Sequence, residues 1–412
     1  MKKRATALLL ALLMILPMAG CGVRAQELTK DIEPQALDTT TDLTAGGEAV
    51  TAFALSLLRS ERAATEGVLI SPVSVLNALG MVANGAGGDT LKQLEATAGM
   101  SLNQLNDFLY TYRMSLPAAC KSCTVSLANS AWIREDFRVE DDFLRSCVNY
   151  YGAEMYRSAF DSGLVTDLNR WVSKKTDGMI DRLLEQAPDV LTMLYLVNAA
   201  CFDARWDTPY TKADLRTGLP FTAANGTQQT ADYMTGTENI YLSGNNVTGF
   251  VKPYDGGKYA FVALLPDEGV TLADYLENLT GEHLYKLITN HRSADVQVSI
   301  PKFSAQSELE LEAPLKDMGI TALFNVSTAD LRGIGSAPSG NNLYVSSVLH
   351  KTYLELDESG TRAAAATVVE AVGDAPPSED VKTVTLDRPF LYMIVDTHAC
   401  VPLFMGTVTS MK

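Results

Sequence analysis

The sequence predicts one mixed domain of helices and strands, with a long exposed segment near its C-terminus. Apolar residues recur at helical spacing between Glu48 and Arg62, which predicts a first helix. The run Leu194–Tyr210 is continuously apolar around Asn198, as in a strand that is buried on both faces. The 28 residues of 361–388 have no core-forming pattern and exceed the length of most loops in a compact domain. We therefore expect the α+β class and a functional role for the long segment.

Composition narrows the classes of function. The 412 residues are 47 % hydrophobic and carry a formal net charge of −16. Nucleic-acid binding requires basic surface, so this acidic balance argues against it. The four histidines, at positions 283, 291, 350 and 398, leave little material for a metal site or a histidine-based triad. Neither a G-x-S-x-G nor an H-E-x-x-H motif is present, which disfavours a hydrolase.

The N-terminus has the features of a secretory signal. Three basic residues at 2–4 precede the apolar run Ala5–Met18, which is short for a membrane-spanning helix of about 20 residues. Small residues lead directly into Cys21, as in the processing box of bacterial lipoproteins; an ordinary signal with an incidental cysteine is the alternative. We predict a signal peptide over 1–20, a lipidated Cys21 at the start of a polar tether over 21–47, and the folded domain over 48–412. The protein would be exported and held on the outer face of a bacterial membrane, or released from it.

The remaining cysteines predict no metal centre. Cys120 and Cys123 form an isolated C-x-x-C, and a zinc site would need a second pair of ligands. The pair has no thioredoxin-like context, which disfavours a redox site. An exported chain could form a disulfide between these two cysteines, although the loop is tight, and this point stays open. We expect Cys147, Cys201 and Cys400 to be buried.

The first half of the long segment has an unusual composition for a disordered loop. Arg362 is the one charged residue between Thr361 and Val369. In an extended strand, alternate side chains face opposite ways. The small side chains would then share one face, Thr361, Ala363, Ala365 and Thr367, and the other face would carry Arg362, Ala364 and Ala366. The start of an alanine-rich helix is an equally good interpretation of these residues.

Two stretches decide between these interpretations by resemblance. Residues 345–367 read VSSVLHKTYLELDESGTRAAAAT, and residues 388–408 read RPFLYMIVDTHACVPLFMGTV. The first resembles the signature and the reactive-centre-loop hinge of the serpin family, and the second is similar to its C-terminal strand pair. Shorter matches extend from about Glu48 to Lys412. The resemblance implies the serpin fold, a mixed α+β domain with a large central β-sheet, surrounding helices and an exposed reactive-centre loop.

The resemblance also implies roles for individual residues. The hinge that enters the sheet would comprise Glu358, Gly360, Thr361, Ala363, Ala364, Ala365, Ala366 and Thr367. The central strands would be locked together by Asn198 and His350 beneath Ser71 and Ser74. Trp206 would lie where the loop first enters.

The function implied is suicide inhibition of serine proteases, without enzymatic turnover, cofactor or metal. The target protease would cleave the loop as far as an acyl-enzyme, and the cut hinge would insert as a new strand of the sheet and trap the protease covalently. We expect the inhibitor to act as a monomer, held to the membrane by the lipid on Cys21. A non-inhibitory serpin that serves as a binding module is the alternative, and a hydrolase with a spatially assembled site is the third choice. The four hinge alanines favour inhibition, because non-inhibitory members usually carry bulky, charged or proline residues there.

The position of the scissile bond stays open at this stage. The family's interval from Glu358 places Asp374 before the cut and Ala375 after it. The proline pair at 376–377 points instead to Gly373, and Val372 is a further alternative. An aspartate would select a protease with a basic pocket, whereas the small residues would suit elastase-like or subtilisin-like enzymes.

Overall fold

Helices surround two large β-sheets in the part of the chain that the structure describes. The computed structural model describes residues 25–38, 41–61, 63–116, 123–188, 192–337, 340, 342–361 and 381–411. The helices are α1 (Leu43–Ser60), α2 (Pro72–Ala83), α3 (Gly88–Ala98), α4 (Leu102–Ser115), α5 (Asp141–Ser146), α6 (Ser162–Lys175), α7 (Leu272–Asn278), α8 (Gly281–Thr289) and α9 (Glu312–Asp317). The predicted α+β class is confirmed.

The first sheet, sheet A, has seven strands and carries the candidate site. In spatial order they are β1 (Gln26–Glu27), β5 (Glu154–Ser158), β3 (Cys123–Arg134), β6 (Leu194–Arg205), β15 (Gly360–Thr361), β14 (Ser347–Asp357) and β12 (Phe303–Glu310). Most neighbouring strands are antiparallel, but β3 is parallel to β5 and β14 is parallel to β6. We call the end of sheet A at Thr361 the hinge pole and the end at Leu194 the foot.

The second sheet, sheet B, packs behind the first. Its strands run in the order β16 (Lys382–Thr385), β11 (Arg292–Pro301), β8 (Gln228–Gly244), β9 (Val247–Pro253), β10 (Tyr259–Pro266), β17 (Phe390–Asp396), β18 (Val401–Val408) and β2 (Leu69–Ile70). β7 (Leu215–Thr222) pairs with β8, and β4 (Arg138–Val139) forms a separate pair with β13 (Gly335–Ser336). β16 occupies part of the segment predicted to lack structure, because Val384 and Leu386 are buried there.

The continuous apolar run of β6 follows from burial on both faces of sheet A, as predicted. Leu196, Ala200 and Phe202 point into the main core, whereas Val197 and Cys201 pack in a second cluster with α6. Alternate side chains of a strand face opposite sides, so a strand with apolar surroundings on both sides has apolar residues at nearly every position, with Asn198 as the buried exception.

The first helix begins five residues before the predicted start at Glu48. The Asp42 side chain accepts a hydrogen bond from the Thr44 N–H at 3.0 Å and caps the helix. Gly46 and Gly47 lie inside the helix, although such residues are typical of linkers. A Cβ on Gly46 would lie 2.4 Å from the Phe108 ring, so close packing requires glycine there.

The structure also differs from the predicted polar tether over 21–47. β1 pairs with β5 at the edge of sheet A, and the Leu28 N–H donates to the Met155 carbonyl at 2.8 Å. Further along, the Leu37 N–H donates to the Tyr110 hydroxyl at 2.9 Å. Leu28 and Ile32 pack against the main core. Because Leu28 and Ile32 bury apolar surface against the core, residues 25–38 pack along the domain. Cys21 lies outside the described residues.

Among the helices that the structure describes, none is both long enough and apolar enough to cross a membrane.

Candidate functional site

The hinge begins as a two-residue strand wedged into sheet A. After β14, the chain reverses at residues 358–359, and the Asp357 side chain accepts from the Ser359 N–H at 2.7 Å. β15 then runs antiparallel to both neighbours, with Thr361 opposite Leu356 of β14 and Ala204 of β6. The structure thus places the first hinge residues between two strands of the sheet.

Gly360 is required by the close approach of β15 to β6. Its φ is +154°, a conformation that side-chain-bearing residues rarely adopt. A Cβ there would lie 2.1 Å from the Ala204 carbonyl oxygen. Because this oxygen belongs to the backbone of β6, it cannot move far enough to relieve the clash.

Trp206 and Tyr254 form the floor beneath this entry point. The Trp206 indole N–H donates to the Asp357 carbonyl at 2.9 Å, and its ring stacks on Tyr254 with centroids 4.4 Å apart. The Tyr254 hydroxyl lies 2.6 Å from the hydroxyl of Thr361, which is fully buried. These contacts orient the Thr361 face of the hinge toward the core.

An ion pair ties the reversal to the neighbouring strand connection. Glu358 pairs with Lys302, which lies between β11 and β12. The hydrogen bond from Lys302 lowers the pKa of Glu358. Both side chains are partly exposed, at 29 % for Lys302 and 38 % for Glu358, so solvent weakens this pair.

A buried polar network joins β14, β6 and α2 halfway down the sheet. The Ser71 N–H donates to His350 Nε2 at 3.0 Å, and His350 Nδ1 lies 2.6 Å from Asn198 Oδ1. The Asn198 amide donates in turn to the Ser74 carbonyl at 2.6 Å and to Asn129 of β3. Asn198 and His350 are fully buried and directly opposite each other in the sheet register.

The same network sets the protonation state of His350. Because Nε2 accepts a hydrogen bond, the proton of the neutral ring resides on Nδ1, which donates to Asn198. Burial lowers the pKa of His350 to about 3, since the imidazolium would lose its hydration. His350 is therefore neutral in the folded protein at physiological pH.

Ser71 contributes to this network through its backbone. It occupies the N-cap position of α2, but its hydroxyl donates to the Leu403 carbonyl at 2.8 Å and makes no side-chain cap with the helix N–H groups. Ser74 likewise contributes its carbonyl oxygen.

Between the hinge and the foot, sheet A has no gap between β14 and β6. β14 and β6 pair directly through seven registered positions, from Tyr353 opposite Cys201 to Ser347 opposite Tyr195. A longer inserted strand would have to separate these positions, including the pair of His350 with Asn198.

A buried ion pair supports Trp206 from sheet B. Lys252 Nζ lies 2.7 Å from Glu238 Oε1, 5.2 Å from the Trp206 ring centre and 4.4 Å from that of Tyr210. Lys252 is 3 % exposed and Glu238 7 %. Burial raises the pKa of Glu238, although Lys252 acts in the opposite direction. Such a pair is strongly coupled, because either charge alone would be buried without compensation.

Several predicted residues lie outside the described part of the chain. These are Cys21, Cys120, the hinge residues Ala363, Ala364, Ala365, Ala366 and Thr367, and the candidate scissile positions Val372, Gly373, Asp374 and Ala375. Within the described ranges, no group of three or more His, Cys, Asp or Glu side chains is placed to hold a metal ion.

The cysteine prediction is correct at two positions and wrong at one. Cys147 and Cys201 are buried. Cys400 is partly exposed in the turn between β17 and β18, with a φ of +53°. The apolar sequence on both sides did not indicate that the chain turns here.

Sequence reasoning missed Asn129, Tyr254, Lys252 and Glu238. Asn129 had the same signal as Asn198, an amide within an apolar strand. The other three carry no local signal, because their partners come from distant segments of the chain.

The geometry defines a protein whose main sheet holds the first two residues of an additional strand. Comparisons with known proteins agree. A sequence model described as serpin (serine protease inhibitor) matches residues 48–411. Iripin-5 of Ixodes ricinus is 33 % identical over 371 residues, covering 86 % of this chain and 92 % of its own. Leukocyte elastase inhibitor A of Rattus norvegicus is 31 % identical over 375 residues, covering 87 % of this chain and 97 % of its own length.

Structural comparison gives the same family. The thermophilic serpin Tengpin in its native state matches with a TM-score of 0.89 and 38 % identity, over 94 % of this chain and all of its own. The latent state of Tengpin matches with a lower TM-score, 0.79. The chain belongs to the serpin family, and the predicted serpin fold is confirmed. Serpins are protease inhibitors, some members being non-inhibitory.

Proposed function

We propose that this serpin is an irreversible suicide inhibitor of serine proteases. The observation that carries the proposal is the placement of Gly360 and Thr361 between β14 and β6, with the small hinge residues next in sequence. A strand already started in the correct direction needs only to be lengthened.

The observed register predicts where each loop residue would go. Thr361 faces Ala204, so the antiparallel register would put Ala363 opposite Phe202 and Ala365 opposite Ala200. The residues that share the face of Thr361 would meet the core beneath β6, which only small side chains can do. Ala371 would arrive opposite Leu194, at the foot of the sheet.

Thr367 would take a specific place in the inserted strand. The register with β6 puts it opposite Asn198, and the register with β14 puts it opposite His350. Thr367 would therefore separate these two side chains, and its hydroxyl could replace the hydrogen bond that they now share. Insertion replaces the direct pairing of β6 with β14 by two pairings, one on each side of the new strand. This change adds roughly ten backbone hydrogen bonds, which at ~1 kcal/mol each would stabilise the inserted state by about 10 kcal/mol.

The covalent step precedes insertion. The serine Oγ of the protease attacks the carbonyl carbon of the scissile bond, the C–N bond breaks, and the amine of the C-terminal fragment leaves with the serine proton. The loop is then esterified to the protease and free to insert. Insertion carries the ester to the foot of sheet A before water can hydrolyse it.

The target follows from the scissile bond. Asp374 before the cut would select a protease with a basic pocket. Val372, Gly373 or Ala375 would suit an elastase-like or subtilisin-like protease, and the name of the rat relative supports testing an elastase first.

The N-terminal signal supports a second element of the proposal. Basic residues, a short apolar run and small residues before Cys21 favour export and lipidation. Acyl chains contribute ~0.8 kcal/mol per buried CH₂, so several chains on one cysteine would hold the inhibitor firmly on a membrane.

Two hinge variants test the proposal. Thr361→Arg and Ala365→Arg each require a guanidinium to enter the core face of sheet A, so we expect proteases to cleave these variants without being trapped. Denaturing electrophoresis measures the covalent complex and the cleaved serpin. Arg362→Ala is the matched control, since position 362 would face the other side of an inserted strand; it should trap normally. Trapping by either arginine variant at the wild-type ratio would contradict hinge insertion.

A further inference from the structure

A cavity of about 400 Å³ lies between α4 and the part of β3 nearest the hinge pole. Its walls are mostly apolar side chains that share one face of the helix and the core face of the strand. They comprise Leu109, Tyr112 and Leu116 of α4, and Val125 and Leu127 of β3. This volume, with an apolar lining and few polar groups, is typical of sites for small molecules.

Two amide side chains lie at the inner end of the cavity. Asn77 of α2 and Asn129 of β3 both line it and are only 5 % and 8 % exposed. Asn77 Nδ2 donates to the Val73 carbonyl at 2.7 Å, and Asn129 Oδ1 accepts from the Asn198 amide. Among the described residues, the other polar atom of each amide, Oδ1 of Asn77 and Nδ2 of Asn129, has no hydrogen-bond partner.

The surrounding bonds fix which atom each amide presents to the cavity. The Asn198 nitrogen donates to the Ser74 carbonyl as well as to Asn129, so the atom of Asn129 that meets it must be the oxygen. The Val73 carbonyl can only accept, so the atom of Asn77 that meets it must be the nitrogen. The cavity therefore offers one free acceptor and one free donor on side chains that are more than nine-tenths buried, where polar groups normally have partners.

We propose that this cavity binds a small apolar molecule with a neutral carboxamide head. The carbonyl oxygen of the head would accept from Asn129 Nδ2, and its nitrogen would donate to Asn77 Oδ1. The apolar body would pack between α4 and β3. An anionic head would fit less well, because it would face the acceptor oxygen of Asn77, and Arg113 at the wall already donates to the carbonyls of Asn149 and Tyr150.

The site lies across β6 from the place where the hinge enters sheet A. β3 pairs with one edge of β6, whereas β15 and β14 pair with the other edge. A bound molecule and an inserted strand would therefore occupy different places. Because Asn129 also accepts from Asn198, a bound carboxamide would reinforce the network that joins β3, β6 and α2.

Benzamide tests this site in the full chain, because it combines a carboxamide head with an apolar ring. Saturation-transfer NMR measures its Kd. Acetophenone has nearly the same shape but carries a methyl group in place of the amide nitrogen, so it cannot donate to Asn77, and benzoate replaces the donor by a second acceptor. Because a site that bonds a donor rejects analogues that lack it, we expect benzamide to bind at least about tenfold more tightly than either analogue.

A substitution at the acceptor locates the binding. Asn77→Leu removes Oδ1 with little change in volume and should weaken benzamide binding at least about tenfold. Asn278→Leu is the matched control, because the exposed Asn278 also donates to the carbonyl four residues earlier in its helix; its affinity should equal that of the wild type. An unchanged affinity in a folded Asn77→Leu protein would overturn the proposal.

The comparison of the three probes uses the wild-type protein alone, so it decides the question even where Asn77→Leu fails to fold. Absence of saturable benzamide binding, equal affinities for benzamide and acetophenone, or tighter binding of benzoate would each overturn the carboxamide site.

Discussion

His350→Phe tests the buried network that holds β14 against β6. Phenylalanine keeps the ring but removes both nitrogens. The change leaves the Ser71 N–H and the Asn198 Oδ1 without the partners that now lie 3.0 and 2.6 Å away. Each buried polar group left unpaired costs about 1–3 kcal/mol, so we expect the native state to lose about 2–6 kcal/mol.

Urea-induced unfolding measures this loss. The three tryptophans of the chain report unfolding by fluorescence, and the shift of the midpoint multiplied by the slope gives the change in the free energy of unfolding. His291→Phe is the matched control, because His291 is exposed and the same substitution there should stay within about 0.5 kcal/mol. A His350→Phe protein as stable as the control would refute the assigned role of the network.

Two further predictions concern ionisable side chains that are buried in the folded protein. The pKa of His350 is depressed to about 3 in the folded protein, and unfolded histidine titrates near 6.5. Between about pH 3 and pH 6.5, the unfolded state therefore binds a proton that the folded state does not bind. The free energy of unfolding is unaffected by this group above pH 6.5, and it falls by up to ~1.4 kcal/mol per pH unit as the pH drops toward 3. Urea midpoints at pH 7.5 and 5 should show this loss in the wild type, and a smaller loss in His350→Phe; equal losses would contradict the assignment. Lys252→Met and Glu238→Leu should each cost ~3–5 kcal/mol, whereas the double variant should recover most of that loss, because an apolar pair replaces an ion pair more easily than a lone charge is buried. Additive losses in the same urea assay would contradict this coupling.

The buried amide was predictable from a local signal, because an amide within an apolar run, Asn198, indicates a buried hydrogen-bonded residue. The small residues after Gly360 fit a strand and an alanine-rich helix equally well, and only the resemblance decided between them; Ala363 to Thr367 lie outside the described residues. Resemblance supplied the partner, His350, and the structure brings the two within 2.6 Å of each other.

The N-terminal segment was not predictable in the same way. Gly46 and Gly47 are typical of linkers, and their helical placement depends on Phe108 and on the turn after β17. The docking of 25–38 depends on an exposed strand edge at β5 that no local pattern reveals. Lys252 and Glu238 pair across two strands of sheet B, and single charges in half-polar strands carry no sign of burial.

Intact mass shows directly whether a protease becomes trapped by hinge insertion. A fragment of the chain that starts at Gly22 would be incubated with elastase-, subtilisin-, trypsin- and caspase-type proteases, and the products would be weighed under denaturing conditions. We predict a covalent complex with at least one of them and a released C-terminal peptide whose mass identifies the scissile bond between Val372 and Ala375. Cleavage within the loop without a complex, for every protease, would contradict trapping by hinge insertion and indicate a serpin that serves as a binding module.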